Sequence, residues 1–450
     1  MVAPTSSELA NSAMAAVEVV RHYQEGKWNG FINLVTHVEI GNEPDSSFFW
    51  PATYTKEEFY ALYSDTAKAI RAAFPTLMIG GPAITLSGYK GATGQQWTRG
   101  FLDHVKSSGA PLDFLSWHTY TNTPDDYTTG ATFYRTELAN RGFTSTEQHV
   151  TEWHTHVTPT NDVTADAANV ETRTLGKAAA ITTTSWINLQ LAGIKQAFIY
   201  RANDPGVTDH SRYGLFSTEG LARKPALAFS LWSEFAGYTD RIDPSASATV
   251  SGLKALAAQR SDGQIAVLVA NMGTASKRYT IGFSDTRRLS DYALSLKTVD
   301  DSHTLLDVTT PTGTSFDIAA NSVQLLTLHV RTGSFSASST SFGTAAGLLL
   351  GANLQVAGAD IGNPGLVYLA ALAGNSFYFH DGTAWVPYIS GDLPIYSNGA
   401  LPAVLSVPVF DVATNAAGLA GVQLFMGYGS SANEMVSATR YKSIYTFTNN

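Results

Sequence analysis

Five times between residues 37 and 238 the chain repeats one pattern: a short apolar run of strand length, then a stretch with helical period. The strand-like runs fall at 37–41, 77–82, 114–118, 148–152 and 194–200. Helical stretches follow near 55–70, 95–106, 133–140, 173–191 and 225–235, and one more precedes the first strand at 7–26. In that first helix Leu9, Ala13, Ala16, Val17 and Val20 share a face. Thr55, with Glu58 three residues on, reads as a capping box. The run at 77–82 ends in Gly80-Gly81-Pro82, which reads as a strand stop. Strands alternating with helices imply a parallel sheet with right-handed crossovers. A closed barrel of this kind takes eight such units in roughly 250 residues. The expected fold of residues 1–238 is therefore a partial (β/α)8 barrel of the TIM type.

After Tyr238 the helical period disappears. Short alternating runs such as 264–269 and 323–328 predict a β-sandwich over residues 239–330. Residues 331–343 are rich in Ser, Thr and Gly and read as a flexible linker. Residues 344–450 form a further β-rich domain, with turns at Asp381-Gly382, Ser397-Asn398-Gly399 and Gly427-Tyr428-Gly429. That domain carries Tyr368, Phe377, Tyr378, Phe379, Trp385, Tyr388 and Tyr396. Alternating aromatics on a β surface suit sugar stacking or a small core. Core is the favoured reading, because Phe377 and Phe379 share a strand face.

Composition narrows the class. With 14% charged and 44% hydrophobic residues, the cores are well supplied and the surface must be largely Ser, Thr, Asn and Gly. A net charge of -9 argues against a nucleic-acid partner, which needs a basic face. The absence of cysteine removes disulfides, thiolate metal sites and cysteine nucleophiles. No run of about 18 apolar residues is present, so no transmembrane helix is expected. The first residues have neither a basic segment nor a continuous apolar core, and so do not read as a signal peptide. Low charge, no cysteine and abundant Ser, Thr and Gly fit a secreted, periplasmic or cell-surface protein.

Two of the strand-like runs end in glutamate. Glu43 lies in Asn42-Glu43-Pro44, and Glu152 lies in Val150-Thr151-Glu152-Trp153. Each has a plain structural reading: a turn-capping carboxylate for Glu43 and a surface glutamate beside a core tryptophan for Glu152. Together they supply two carboxylates at strand ends, where barrel enzymes build their sites. That is the minimal apparatus for cleaving a glycosidic bond: one carboxyl protonates the leaving oxygen while the other attacks or activates water. His149, His154 and His156 alternate along the strand of Glu152 and read as a polar rim. Neither a metal nor any other cofactor is expected.

The segment 36–45 with Phe49-Trp50 resembles the acid/base strand of retaining glycoside hydrolases with a (β/α)8 barrel, and most closely glycoside hydrolase family 39. Val20-Arg21-His22-Tyr23 and Gly26-Lys27-Trp28 resemble the stretch before that strand. Gly80-Gly81-Pro82-Ala83, the segment 113–120 and Val150-Thr151-Glu152-Trp153 are similar to the fifth, sixth and seventh strands of such a barrel. Ala222-Arg223-Lys224-Pro225-Ala226 resembles the opening of its last helix. The resemblance covers residues 5–240 and implies a retaining glycosidase acting on an oligo- or polysaccharide. Glu43 would be the acid/base, Glu152 the nucleophile, and Asn42 a partner of the sugar 2-hydroxyl. His118 and Tyr120 would line the sugar subsite. Tyr200 and Arg201 would bind substrate, and Trp50 and Trp153 would stack on sugar faces; packing is the alternative for these four. Retention implies carboxyl groups facing each other about 5–5.5 Å apart.

Family members begin with three strand–helix units that have no counterpart here. Five parallel strands leave open edges and an uncovered apolar interior. The chain is therefore expected to self-assemble, to take a partner chain that completes the barrel, or to cover the open side with its own β domain. The alternative function is a non-catalytic carbohydrate-binding or structural assembly protein built on a degenerate barrel.

Overall fold

The computed structural model describes residues 6–156, 163–204, 206, 210–243, 250–303, 308–331 and 333–448, with side chains from residue 11 onward and, after 162, from residue 166. Leu9, expected on the apolar face of the first helix, lies outside the described side chains. The chain divides into two compact units, one comprising Met1–Val157 with Ser185–Tyr200 and the other Thr158–Thr184 with Arg201–Asn450.

The first unit is built on a five-stranded sheet of β1 (His37–Glu39), β2 (Met78–Ile84), β3 (Phe114–Tyr120), β4 (Glu147–His154) and β5 (Gln196–Ile199). The strands lie side by side in sequence order, and every neighbouring pair is parallel. This is the strand arrangement of a partial (β/α)8 barrel. The helices are α1 (Ser6–Gln24), α2 (Lys56–Ala73), α3 (Ser87–Lys90), α4 (Ala92–Ser108) and α5 (Asp125–Ala139). Thr55 caps α2 with the expected reciprocal pair: its hydroxyl accepts from the Glu58 amide at 3.2 Å, and Glu58 accepts from the Thr55 amide at 2.6 Å.

Strand alternation sorts the side chains. On β3, Trp117 points to the helix side, where Tyr89, Tyr127 and Tyr134 surround it at ring distances of 5.7, 6.4 and 5.4 Å. Phe114, Ser116, His118 and Tyr120 leave the opposite face. On β5, Phe198 shares that inner face with Gln196 and is 54% exposed, so the interior of the curved sheet is open there.

Three local expectations need correction. β2 runs through Gly80-Gly81-Pro82 to Ile84, because Gly80 and Gly81 pair in register with Phe114 and Leu115. A Cβ on Gly80 would sit 2.1 Å from the Phe114 carbonyl oxygen, so that glycine permits close strand approach rather than stopping the strand. α5 begins at Asp125, well before 133; Asp125 and Asp126 occupy its first turn, where their charge suits the helix dipole. The long helix expected at 173–191 is two, α6 (Val163–Arg173) and α7 (Gly176–Leu191). A Cβ on Gly176 would meet the Asn321 carbonyl oxygen at 2.7 Å, and the Gly176 amide donates to Asp301 at 2.7 Å.

The second unit holds α6, the first part of α7, α8 (Lys224–Phe235) and two all-β regions. The first region is a six-stranded antiparallel sheet, ordered Val308–Thr309, Tyr292–Val299, Ser322–Val330, Ile265–Asn271, Leu253–Gln259 and Asp240–Ile242. It shares a core with the pair Lys277–Thr280 and Ser315–Ile318 through Ile265, Val269, Tyr279, Phe316 and Leu326. The second region opens at Ser336–Phe342, which pairs antiparallel with Leu348–Gln355. The expected linker is thus largely a strand: the run Ser336-Ala337-Ser338-Ser339 has small side chains, but Ala337 is buried in the core with Leu354 and Val367. Of the aromatics there, Phe379 and Tyr368 are buried, whereas Phe377 is 40% exposed. Phe377 is therefore not core. It flanks a cavity of about 300 Å³ with Phe379, Tyr388, Phe425 and Tyr441. Among the described residues no helix is long and apolar enough to cross a membrane.

Candidate active site

The carboxyl ends of the parallel strands converge on a cluster of polar side chains. Glu43 follows β1 after the turn Ile40-Gly41-Asn42. Gly41 has φ 104, and a Cβ there would meet the Phe59 ring at 2.9 Å, so the turn requires glycine. Glu43 itself is left-handed at φ 48, a region that non-glycine residues seldom occupy. Its amide donates to the Ala83 carbonyl at 2.9 Å, anchoring the turn to β2. Asp45 adds a second anchor: it accepts from the Thr85 amide at 3.0 Å, the Thr85 hydroxyl at 2.5 Å and the Ser87 hydroxyl at 2.6 Å. Strain at Glu43 is thereby over-determined by neighbours, as at other functional turns.

Glu152 reaches the same place through an irregularity in β4. Val150 is opposite Trp117 and Glu152 is opposite His118, so Thr151 is an extra residue in the pairing. Regular alternation would send Glu152 to the helix side. The bulge turns it inward and sends Trp153 outward.

His118, 1% exposed, sits between the two carboxylates. Its Nδ1 lies 2.9 Å from Glu43 Oε1 and 3.6 Å from Glu152 Oε2. One carboxylate oxygen from each glutamate and the His118 nitrogen all lie within 4.8 Å of one another. The Tyr120 hydroxyl donates to Glu152 Oε2 at 2.6 Å. The Tyr200 ring stands 6.2 Å from that of Tyr120, edge to face. Five of the expected site residues, Glu43, Glu152, His118, Tyr120 and Tyr200, are thus brought together, with Asn42 exposed beside Glu43.

Trp153 and Trp50 are placed differently. Trp153 is 1% exposed and edge-on to Tyr127 at 6.0 Å. It is a core residue and not a sugar platform, because it follows Glu152 on a strand and so faces the other way. Trp50 packs against Tyr54 and Phe59 at 5.2 and 5.4 Å, with its indole N–H donating to the Thr55 carbonyl at 2.9 Å. Arg201 belongs to the second unit, where it donates to the Asn203 carbonyl at 3.1 Å and lies 4.0 Å from Asp204. Asp45 was missed from sequence, although it stands only two residues from Glu43; its role depends on Thr85 and Ser87, which no local pattern ties to it.

A buried imidazole bridges two carboxylates, and a phenol orients one of them. Residues 17–268 match the family described as glycosyl hydrolases family 39. Over 149 residues the chain is 29% identical to a β-xylosidase of Geobacillus stearothermophilus, and 31% identical to a β-xylosidase of Caldicellulosiruptor saccharolyticus. Each of these matches covers 29% of this chain and 28% of the relative, so the chain spans little more than a quarter of the length of these curated relatives. Among solved structures, a glucosidase from Croceicoccus marinus is similar at a TM-score of 0.57 and 25% identity, over 73% of this chain and 76% of that one. A β-xylosidase from Caulobacter crescentus CB15 is similar in fold at 0.55 and 17% identity, over the same shares. The family match spans more than half of the chain and contains both glutamates, the histidine between them and all five parallel strands: the chain belongs to glycosyl hydrolases family 39.

Proposed function

We propose that the chain is a retaining glycoside hydrolase in which Glu152 is the nucleophile and Glu43 the acid/base. The observation that carries this reading is the approach of the two carboxylates, with an oxygen of each within 4.8 Å of the other. Retaining glycosidases hold their carboxyl groups about 5–5.5 Å apart, whereas inverting ones leave roughly 6.5–9.5 Å for a water.

In the first step a Glu152 oxygen attacks the anomeric carbon, and the bond to the leaving oxygen breaks as Glu43 delivers its proton there. The product is a covalent glycosyl ester on Glu152 and a free alcohol. In the second step Glu43, now ionised, takes a proton from water. The hydroxide oxygen displaces Glu152 from the anomeric carbon, returning both groups to their starting states. Tyr120 holds the attacking carboxylate through its 2.6 Å hydrogen bond. His118 keeps the pair in register. Asn42 would meet the 2-hydroxyl of the bound sugar. The relatives named above make β-xylosides the first substrates to try, with glucosides next.

The test uses aryl β-glycosides. Glu152→Ala should abolish turnover, and azide should restore part of it by replacing the missing nucleophile. Glu43→Ala should lose most rate on substrates with poor leaving groups, which need the proton. Wild-type rates in both variants would overturn the assignment. Saturable sugar binding without turnover by the unmodified chain would favour the non-catalytic carbohydrate-binding reading instead.

A further inference from the structure

The opposite, amino-terminal ends of the same strands carry a second polar cluster that glycoside cleavage does not use. His37 opens β1, and Glu147 and His149 stand at the first and third positions of β4, so the two β4 side chains leave one face. β2 and β3 lie between β1 and β4 in the sheet. Its curvature nevertheless brings the His37 and His149 rings to 5.7 Å. One donor atom each from His37, Glu147 and His149 lies within 4.8 Å of the other two.

Each group is held in place. His149 is 2% exposed and stacks on Phe114 at 4.3 Å with 12° between the planes. Its Nε2 is 2.9 Å from Glu147 Oε2. His37 Nδ1 is 2.8 Å from the Thr36 hydroxyl, and its Nε2 faces the Gln196 side-chain amide at 3.3 Å. An amide donating to Nε2 puts the ring proton on Nδ1, where Thr36 accepts it. The lone pair of Nε2 then accepts the Gln196 amide, and an ion would take that amide's place. A ring fixed by a hydrogen bond from its far nitrogen is the usual second partner of a metal-ligating histidine.

We propose that His37, Glu147 and His149 form a binding site for a divalent transition-metal ion, with zinc as the ion best suited to two imidazoles and a carboxylate. Such a donor set favours four-coordinate geometry with nitrogen and oxygen ligands. Three protein ligands leave the fourth position to water. The ion takes the place of the proton now shared between His149 and Glu147. It clips together two strands that are not sheet neighbours, and so fixes the curvature that also sets the spacing of Glu43 and Glu152 at the other end. The inference is independent of the glycosidase reading.

Untagged, chelator-treated protein would be titrated with cobalt(II), followed by visible absorption, and with zinc(II), followed by calorimetry. One ion per chain and the absorption of four-coordinate cobalt are expected. His37→Ala and His149→Ala should each weaken binding roughly tenfold or more, at least the loss seen when an outer partner of a metal ligand is removed. Glu147→Gln keeps the side-chain volume and should weaken binding likewise; it decides the matter if the alanine variants do not fold. Glu43, His118 and Glu152 are a second set of close donors, so Glu152→Gln is the control and should leave binding unchanged. Absence of binding to the folded chain, binding that survives all three substitutions, or binding lost in Glu152→Gln would overturn the proposal.

Discussion

Tyr120 is where a single atom bears most on the proposed chemistry. Its hydroxyl is one bond from Glu152 and has no part in forming the strand. A hydrogen bond to a charged group contributes about 1.5–3 kcal/mol. Tyr120→Phe is therefore expected to lower kcat/KM on an aryl glycoside by roughly tenfold to a hundredfold, with little change in thermal midpoint. An unchanged kcat/KM would mean that the hydroxyl does not hold the nucleophile. Glu43 and Glu152 stood out in the sequence because each lies at or just past the end of a strand whose period is plain, whereas His118 and Tyr120 came only with the family resemblance. For Trp153 the choice between stacking and packing stayed open in the sequence: a strand cannot offer two adjacent side chains to one face, and only the extra residue Thr151 decides which of Glu152 and Trp153 turns inward.

At the scale of elements, strands and helices were found where the apolar period is strong, and missed where something else sets the boundary. The α2 cap is local chemistry and could be read directly. The start of α5 is set by two aspartates in its first turn, the split between α6 and α7 by a close approach to Asn321, and the strand Ser336–Phe342 by the burial of Ala337. The strand Ser322–Val330 carries a further consequence. His329 is buried, with Nε2 2.8 Å from the Ser295 hydroxyl and Nδ1 3.1 Å from Gln264 Oε1. Burial, aided by Lys297 and Arg260, lowers its pKa from 6.5 to about 4. Between those values the unfolded chain binds a proton that the folded chain does not, so stability rises with pH across that window. Lowering the pH from 6.5 to 4 should remove about 3 kcal/mol through this residue. Urea midpoints measured over that range should fall less steeply for His329→Gln than for the unmodified chain; parallel curves would show that His329 is not the cause.

At the scale of the whole molecule, the exposed apolar surface stands out. Trp28, Phe31, Ile32 and Leu34 are 74, 57, 85 and 88% exposed in the stretch leading into β1, and Phe198 is 54% exposed on β5. Both strands are edges of the parallel sheet. Unpaired edges beside apolar side chains are templates for another chain. Association of this chain with itself through these edges is expected. Light scattering should give a mass above 48.1 kDa that falls toward the monomer on dilution. Ile32→Asp with Leu34→Asp should shift that balance toward monomer. A concentration-independent monomer before substitution would sink the expectation.

By itself, the sequence determined the alternation of strands and helices, the loss of that alternation after Tyr238, and the two glutamates at strand ends. These are local properties: periodicity, caps and turn residues act over a few positions, and the chain carries them wherever it folds. The tertiary structure decided what depends on residues far apart. The bulge that turns Glu152 inward exists only against β3. Asp45 became an anchor only when Thr85 and Ser87 met it. His149 was read along its own strand beside His154 and His156, yet it pairs with His37, more than a hundred residues earlier, because the sheet curves. Curvature and register are set by packing across the whole sheet, and no window of sequence contains them.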